Sequence, residues 1–297
     1  DSLQTALRSF TFTDSSAALT DGATRSISWS VNDGGNNGST GSAGALTSAT
    51  ATTTLDITAT NATPSIGGLS STNPTFAEGA STPTTLESGI TVTDADGGTT
   101  LDYTGATATI TLASPTGTET LAITPSSKVA ISSAYSTSTG AMTVTVQSGG
   151  TIADLQTALR SVTFTDSSTS LTTGSTRSIA WSVSDGGNRG SGGSQSTSAT
   201  TTLDITGVNS TPTIGGLAST GPTYSEGASS ATTLEGGITL SDADGTGSMD
   251  YSGATVTITV GSYVSGEDVL SASASSRVNV GTFDTTSGSL TLSLIHI

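Results

Sequence analysis

Apolar and hydroxyl side chains alternate along most of the chain. From 106 to 112, Ala106, Ala108, Ile110 and Leu112 fall on one side and Thr107, Thr109 and Thr111 on the other. The stretch 255–260 repeats the pattern, with Val256, Ile258 and Val260 against Thr255, Thr257 and Thr259. Met142, Val144 and Val146, the pair Val162 and Phe164, and the set Ile179, Trp181 and Val183 behave the same way. A period of two places successive side chains on opposite faces of a strand, so each run predicts a strand with one buried face and one wet, hydroxyl-rich face. Turn signals such as Asp-Gly-Gly, Asn-Gly, Ser-Gly-Gly and Asn-Pro separate the runs. One helix is expected per repeat. Residues 152–160 place Leu155, Ala158 and Leu159 at i, i+3 and i+4, with Asp154 read as the N-cap.

The chain repeats itself. LQTALRS occurs at 3–9 and 155–161, and SISWSVNDGG at 26–35 returns as SIAWSVSDGG at 178–187. ATTTLDIT recurs at 51–58 and 199–206, TPSIGGL at 63–69 as TPTIGGL at 211–217, and TDADG at 93–97 as SDADG at 241–245. Asp102-Tyr103 returns as Asp250-Tyr251. Asn61 recurs as Asn209, a period of 148 residues, which is the size of a domain and not of a solenoid coil. The expected organisation is the back part of one module at 1–60, a complete module at 61–208, and the front of a third at 209–291. The loop after Asp33-Gly-Gly is longer than its copy after Asp185-Gly-Gly, as a surface loop tolerates. Residues 292–297, Leu-Ser-Leu-Ile-His-Ile, match the translation of a transposon sequencing adapter and are expected to be an adapter-derived tail.

Composition narrows the function classes. Serine and threonine make up about two residues in five, against an ordinary globular composition. Seven basic against 23 acidic side chains leave a net charge of −16, which argues against nucleic-acid binding. No apolar run is long enough to span a membrane. Without cysteine there is no disulfide, thiol nucleophile or Cys-ligated metal, and a single histidine leaves almost no candidate general base. The reading is therefore not an enzyme. Carboxylate pairs could in principle serve a glycosidase, but here they recur alike in every copy.

The acidic residues occupy equivalent places. Asp94 and Asp96, and their copies Asp242 and Asp244, form Asp-Ala-Asp-Gly at strand ends. Asp33 and Asp185 sit in Val-x-Asp-Gly-Gly, Asp56 and Asp204 lie five residues before Asn61 and Asn209, and Glu78 and Glu226 lie in Thr-aromatic-x-Glu-Gly-Ala. Carboxylates at i and i+2 on a turn can converge on a hard cation, and Ca²⁺ takes six to eight oxygens. The same residue types are also ordinary turn formers that bind local amides. Trp29 and Trp181 lie on the apolar face and read as core. Arg25 and Arg177 read as partners in surface ion pairs. Asn37-Gly-Ser, Asn61-Ala-Thr and Asn209-Ser-Thr match the glycosylation sequon, which a bacterial source would leave idle.

Taken together, the aromatic-x-Glu, Asp-x-Asp-Gly, Leu-Gln-x-Ala-Leu-Arg-Ser and Arg-x-Ile-x-Trp-x-Val-x-Asp-Gly-Gly motifs resemble the cadherin-like, Ig-type modules found in tandem in giant bacterial surface adhesins. The resemblance covers the chain up to the last six residues. It implies an all-β fold of tandem cadherin-like β-sandwich modules of about 148 residues, each with one short helix. It also implies Ca²⁺ at the junctions, held before the complete module by Asn61, Asp94, Asp96 and Asp185, and at the next junction by Glu78, Asn209, Asp242 and Asp244. The linker from Asp56 to Pro64 departs from the family's dense Asp-x-Asn-Asp, and no Asp-Arg-Glu motif occurs, which points to weaker binding, one ion in place of three, or none. The implied role is the extracellular stalk of an adhesin on a bacterial cell surface. Its partners would be neighbouring repeats of the same chain, with a cell-surface glycan or protein bound through other domains. The rival reading makes each module itself a carbohydrate- or cell-surface-binding domain.

Overall fold

A computed structural model describes residues 2–16, 18–35, 44–98, 100–187, 190–244 and 251–295. The chain divides into two compact units, Asp1–Val208 and Asn209–Ile297. It is an all-β protein: several sheets and, among the described residues, two short helices. Residues 36–43 of the long loop after Asp33-Gly-Gly, Asn37 among them, and His296 lie outside the described residues.

The first unit opens with α1 (Ser2–Leu7), β1 (Thr24–Trp29) and β2 (Ala51–Asp56). The complete copy of the repeat follows with β3 (Ser65–Gly67), β4 (Thr75–Ala77), β5 (Thr84–Thr85), β6 (Thr91–Thr93), β7 (Thr107–Leu112) and β8 (Glu119–Ala122). It continues through β9 (Val129–Ser136), β10 (Ala141–Val146), α2 (Ile152–Arg160), β11 (Thr163–Asp166), β12 (Thr176–Ser184) and β13 (Ser196–Thr206). The second unit contains β14 (Thr213–Gly215), β15 (Thr239–Ser241), β16 (Thr255–Thr259), β17 (Val278–Val280) and β18 (Ser289–Leu294).

In the complete copy a six-stranded sheet runs β4-β13-β12-β7-β10-β9, a three-stranded sheet runs β5-β11-β8, and β3 pairs with β6. All pairs are antiparallel except β13 with β4. The alternation seen in the sequence sets the faces. Ala108, Ile110 and Leu112 of β7, Met142, Val144 and Val146 of β10, and Ile179, Trp181 and Val183 of β12 are all buried. Phe164 of β11 and Leu121 of β8 join them from the smaller sheet, so one core is shared by both sheets. Phe76 meets Phe164 edge to face at 5.1 Å, an arrangement that aromatic quadrupoles favour. The outward threonines bond across strands, as Thr109 does with Thr143 at 3.0 Å. At the β9–β10 turn Gly140 adopts φ +68°, and a Cβ there would run into the Leu112 carbonyl oxygen, so only glycine fits.

Two details differ from the expectations. The N-cap of α2 is Thr151, not Asp154. Thr151 Oγ1 accepts from the Asp154 amide at 3.3 Å, and Asp154 Oδ2 accepts from the Thr151 amide at 2.8 Å, which makes a reciprocal capping box with Asp154 at N3. The helix buries Ile152, Leu155, Ala158 and Leu159, and Arg160 Nε donates to the Ile90 carbonyl at 2.9 Å.

The second difference is Arg177, which is not in a surface pair. Its Nε lies 3.0 Å from Glu119 Oε1, and the Glu119 side chain is 0% exposed. Arg25, its counterpart, does make a surface pair, 3.9 Å from Asp14. Burial works to raise the Glu119 carboxyl, but the hydroxyl and amide of Thr116, with Arg177, outweigh it and hold the group below the usual carboxylate range. A depressed carboxyl contributes stability that is present above its unfolded value of about 4.3 and is lost as pH falls through its folded value. We therefore expect the thermal midpoint of the wild-type chain to drop on acidification below about pH 4.3. Glu119→Gln should start lower at neutral pH and lose less between pH 5 and 3. Calorimetry across that range checks this, and parallel pH profiles for the two proteins would contradict it.

Residues 2–60 are the counterpart of the back of the complete copy, yet little of this segment is buried. Phe10 and Phe12 are exposed, and Trp29 is half-buried. In the second unit, Ile214, Tyr224, Leu234, Ile238 and Leu240 are exposed although their counterparts one period earlier are partly or fully buried. Strand β18 runs through Leu292, Ser293 and Leu294 and pairs with β16 and β17. Residues 296 and 297 lie outside the described residues.

Candidate functional site

The Asp-rich turns gather at the entry to the complete copy. Here the chain leaves β2 and runs along the loop after β12. Ser191 donates its amide to the Ala59 carbonyl at 2.9 Å, and Asn61 donates its amide to the Ser191 carbonyl at 2.9 Å. Gly190, at φ +99°, lets this happen: a Cβ there would meet the Ala59 carbonyl oxygen at 2.5 Å. The linker residues Ile57, Ala59 and Asn61 are each buried as a result.

Asn61, Asp94, Asp96 and Asp185 come together at this point. Asn61 Nδ2 donates to Asp185 Oδ2 at 2.7 Å and to the Gly193 carbonyl at 2.9 Å. The next residue, Ala62, donates its amide to Asp96 Oδ2 at 2.8 Å. Asp94 Oδ1 accepts from the Asp96 amide at 3.0 Å, the turn bond expected of Asp-x-Asp. Asp185 Oδ1 accepts from the amides of Gly187 and Gln195, both at 2.9 Å, and so closes the loop that carries Gly190 and Ser191. All four side chains are buried.

The sequence reading missed Tyr103. Its hydroxyl donates to Asp94 Oδ2 at 2.8 Å. Burial pushes the phenol far above its ordinary value, the bond to and charge of Asp94 push it further, and Asp185 and Asp96 add to the effect. The phenol therefore stays protonated through the alkaline range and acts as a fixed donor between the carboxylates. The signal that could have found it was the recurrence of Asp-Tyr nine residues after the first aspartate in both copies, as Tyr103 and Tyr251. In the second unit, burial raises the Tyr251 hydroxyl too, with Asp242 and Asp244 contributing.

The remaining predicted residues are divided between the two units, Glu78 in the first and Asn209, Asp242 and Asp244 in the second. Glu78 Oε2 accepts from the Val208 amide at 2.9 Å, and the Glu78 amide donates to the Thr206 carbonyl at 2.8 Å, so it holds the exit of the complete copy. In the second unit, Asp244 Oδ2 accepts from the Ser210 amide at 2.6 Å and Asp242 Oδ1 from the Asp244 amide at 3.1 Å, repeating the Ala62–Asp96–Asp94 arrangement. Asn209 is exposed. Asp204 accepts from Asn73 at 3.0 Å, away from this cluster.

What this cluster could hold follows from its donors. It offers oxygen ligands alone, the chemistry of a hard cation. One atom is left over: Asn61 Oδ1 is buried with no hydrogen-bond partner, although Asn61 is only 7% exposed. An unpaired buried carbonyl is costly and marks a place for a water or an ion. Against that, no three acidic or histidine side chains among the described residues are gathered closely enough to grip a metal. Each carboxylate named above already accepts hydrogen bonds from the chain. Among the described residues no helix is long and apolar enough to cross a membrane. No protein-family model matches the chain, and no curated protein matches it.

Proposed function

We propose that this chain is part of the structural stalk of a large exported bacterial adhesin, built of tandem cadherin-like β-sandwich modules whose junctions are stiffened and take up Ca²⁺ weakly. The observation that carries the reading is the linker at Ala59–Ala62. Its backbone is paired with Ser191, and its side chain and following amide are tied to Asp185 and Asp96. A stalk transmits force and keeps its length only if its hinges are fastened, and a fastened hinge is what these bonds supply. The oxygen-only cluster and the orphaned Asn61 Oδ1 support the calcium part: Asn61, Asp94, Asp96 and Asp185 would hold the ion. A bound cation would offset the repulsion between carboxylates crowded around one buried tyrosine. Binding to the folded state alone stabilises it by mass action, so even a millimolar site would register at extracellular calcium levels.

Hydrogen exchange on the full chain tests the fastened linker. The Asn61 and Ser191 amides should exchange slowly, with the sheet; exchange at the rate of an open loop would overturn the stalk reading. Calorimetry with Ca²⁺ and then EDTA tests the ion separately. A midpoint that rises with Ca²⁺, returns with EDTA and is insensitive to Mg²⁺ is expected. A midpoint indifferent to all three removes calcium and leaves a metal-free latch. Binding of the chain itself to a glycan array would favour the rival, in which each module is a binding domain.

A further inference from the structure

We propose that the complete copy binds one internal water molecule between Tyr135 and Asp166, and that this water ties its two sheets together at a buried pair of carboxylates. The place is built by β8, β9, β11 and β12. Glu119 of β8 lies opposite Asp166 of β11. Arg177 of β12 serves both, with Nε 3.0 Å from Glu119 Oε1 and Nη2 4.0 Å from Asp166 Oδ2. Both acidic side chains are 0% exposed. Tyr135, near the end of β9, brings its phenol within electrostatic reach of the pair.

The donors and acceptors of this cluster do not balance among themselves. Glu119 is fully used. Its Oε1 accepts from Arg177, and its Oε2 accepts from the Thr116 hydroxyl at 2.6 Å and from the amides of Thr116 and Gly117 at 2.7 and 3.2 Å. Asp166 is half used. Its Oδ1 accepts from the Ser168 amide at 2.9 Å. Its Oδ2 is buried without a hydrogen bond, the guanidinium at 4.0 Å being beyond bonding distance. The Tyr135 hydroxyl is likewise buried without a hydrogen bond. Burial raises that phenol, and the charges of Glu119 and Asp166 raise it further, so it keeps its proton and stays a donor. One buried donor and one buried acceptor are thus left over in the same cluster, and they do not bond each other. A buried polar group left unmet loses its hydration and gains nothing in exchange.

Water is the ligand that matches this remainder. It accepts from the Tyr135 hydroxyl, donates to Asp166 Oδ2 and turns its second lone pair to the Arg177 guanidinium, within the two to four partners usual for an internal water. A metal cation does not match: it would face the guanidinium and leave the phenol proton without an acceptor. The second unit retains a phenol at the corresponding place by another route. One period on, Phe283 stands for Tyr135 and Tyr263 for Pro115, and the two rings meet edge to face at 5.7 Å. The position in the sequence changes and the phenol stays. In the complete copy the bridge has a mechanical meaning. Strand β9 is the edge of the six-stranded sheet and β11 the middle of the three-stranded one, so the water joins the two layers at a side where no strand ladder does.

Magnetic relaxation dispersion of water oxygen, measured on the full chain, tests this, because it counts the water molecules held long enough to tumble with the protein. Tyr135→Phe should lower that count by one. Phenylalanine already occupies the corresponding place in the second unit, and a single cooperative calorimetric transition shows that the variant is folded. The same loss should appear on an Asn61→Ala background, which separates this water from anything held at the linker. A crystal structure of the full chain should show a density peak within about 3.2 Å of both Tyr135 Oη and Asp166 Oδ2, unchanged when choline replaces sodium in the buffer. An unchanged count in Tyr135→Phe overturns the proposal. So does a direct Tyr135–Asp166 hydrogen bond in the crystal, or a peak that disappears with sodium and is therefore a cation.

Discussion

Asp185→Ala should cost the complete copy of the repeat about 3 kcal/mol, since a buried donor left without its acceptor costs about 1–3 kcal/mol and water recovers part of that at a loop. One carboxylate closes the loop after β12 through the amides of Gly187 and Gln195, and it fastens the linker through Asn61. Its removal leaves two part-buried amides without their acceptor, takes one of the two acceptors from the buried Asn61 Nδ2, and releases two segments at once. Asp185→Asn separates these roles. An amide oxygen can still accept from Gly187 and Gln195, but its NH₂ group faces the donating Nδ2 of Asn61. The loop should survive and the linker should open. Denaturant titration should therefore rank wild type, Asn and Ala in falling order. Exchange at the Asn61 amide should be fast in both variants, whereas exchange at Gln195 should be fast in the alanine alone. A double-mutant cycle with Asn61→Ala should show a coupling of about 1 kcal/mol, as expected for residues in one network. Strict additivity would mean that the Asn61–Asp185 bond contributes nothing.

This latch was half legible from the sequence. Recurrent Asp-x-Asp and Asp-Gly-Gly turns mark Asp94, Asp96 and Asp185, and the period marks Asn61, because each lies where the local turn chemistry demands an oxygen. What joins them lies in the fold. Asn61 and Asp185 are 124 residues apart, and the bond between them exists because the linker pairs with Ser191. Tyr103 escaped because the Asp-Tyr recurrence marks the repeat and not a contact: the ring is part of the core, and only the fold brings its hydroxyl to Asp94. The strands were legible for a different reason. Alternating threonines and aliphatics leave one register with a buried face, and a slip by one residue would expose all of it. The cap of α2 was misread by one turn because in a capping box Thr151 and Asp154 each bond the other's amide, so either can be taken for the cap. Arg177 was misread because its environment depends on β8 and β11, which bring Glu119 and Asp166 beneath it from outside its own strand.

The same limit is sharpest for the two tryptophans, and it leads to the second large effect. Trp29 and Trp181 stand in near-identical sequence, and each donates its indole N–H to a threonine at 2.9 Å, Thr53 and Thr201 respectively. Yet Trp181 is 1% exposed while Trp29 is half-buried. The difference lies in the neighbours. Trp181 sits on a strand between β13 and β7 over a filled core; Trp29 sits on a strand whose one neighbour among the described residues is β2, with Phe10 edge-on at 5.8 Å. Trp181→Ala should cost about 3–5 kcal/mol, the range for emptying an aromatic site in a packed core. Trp29→Ala should cost about 1 kcal/mol, because much of the ring is already in water. Fluorescence makes the pair self-reporting, since the chain has only these two tryptophans. The Trp29→Ala protein should emit at the blue, buried wavelength of Trp181 and keep its main unfolding transition. The Trp181→Ala protein should emit further to the red and melt much earlier. Equal losses would mean that the motif alone decides the energy. Unequal losses in this order would show that identical local sequence carries different stability according to which strands pack against it.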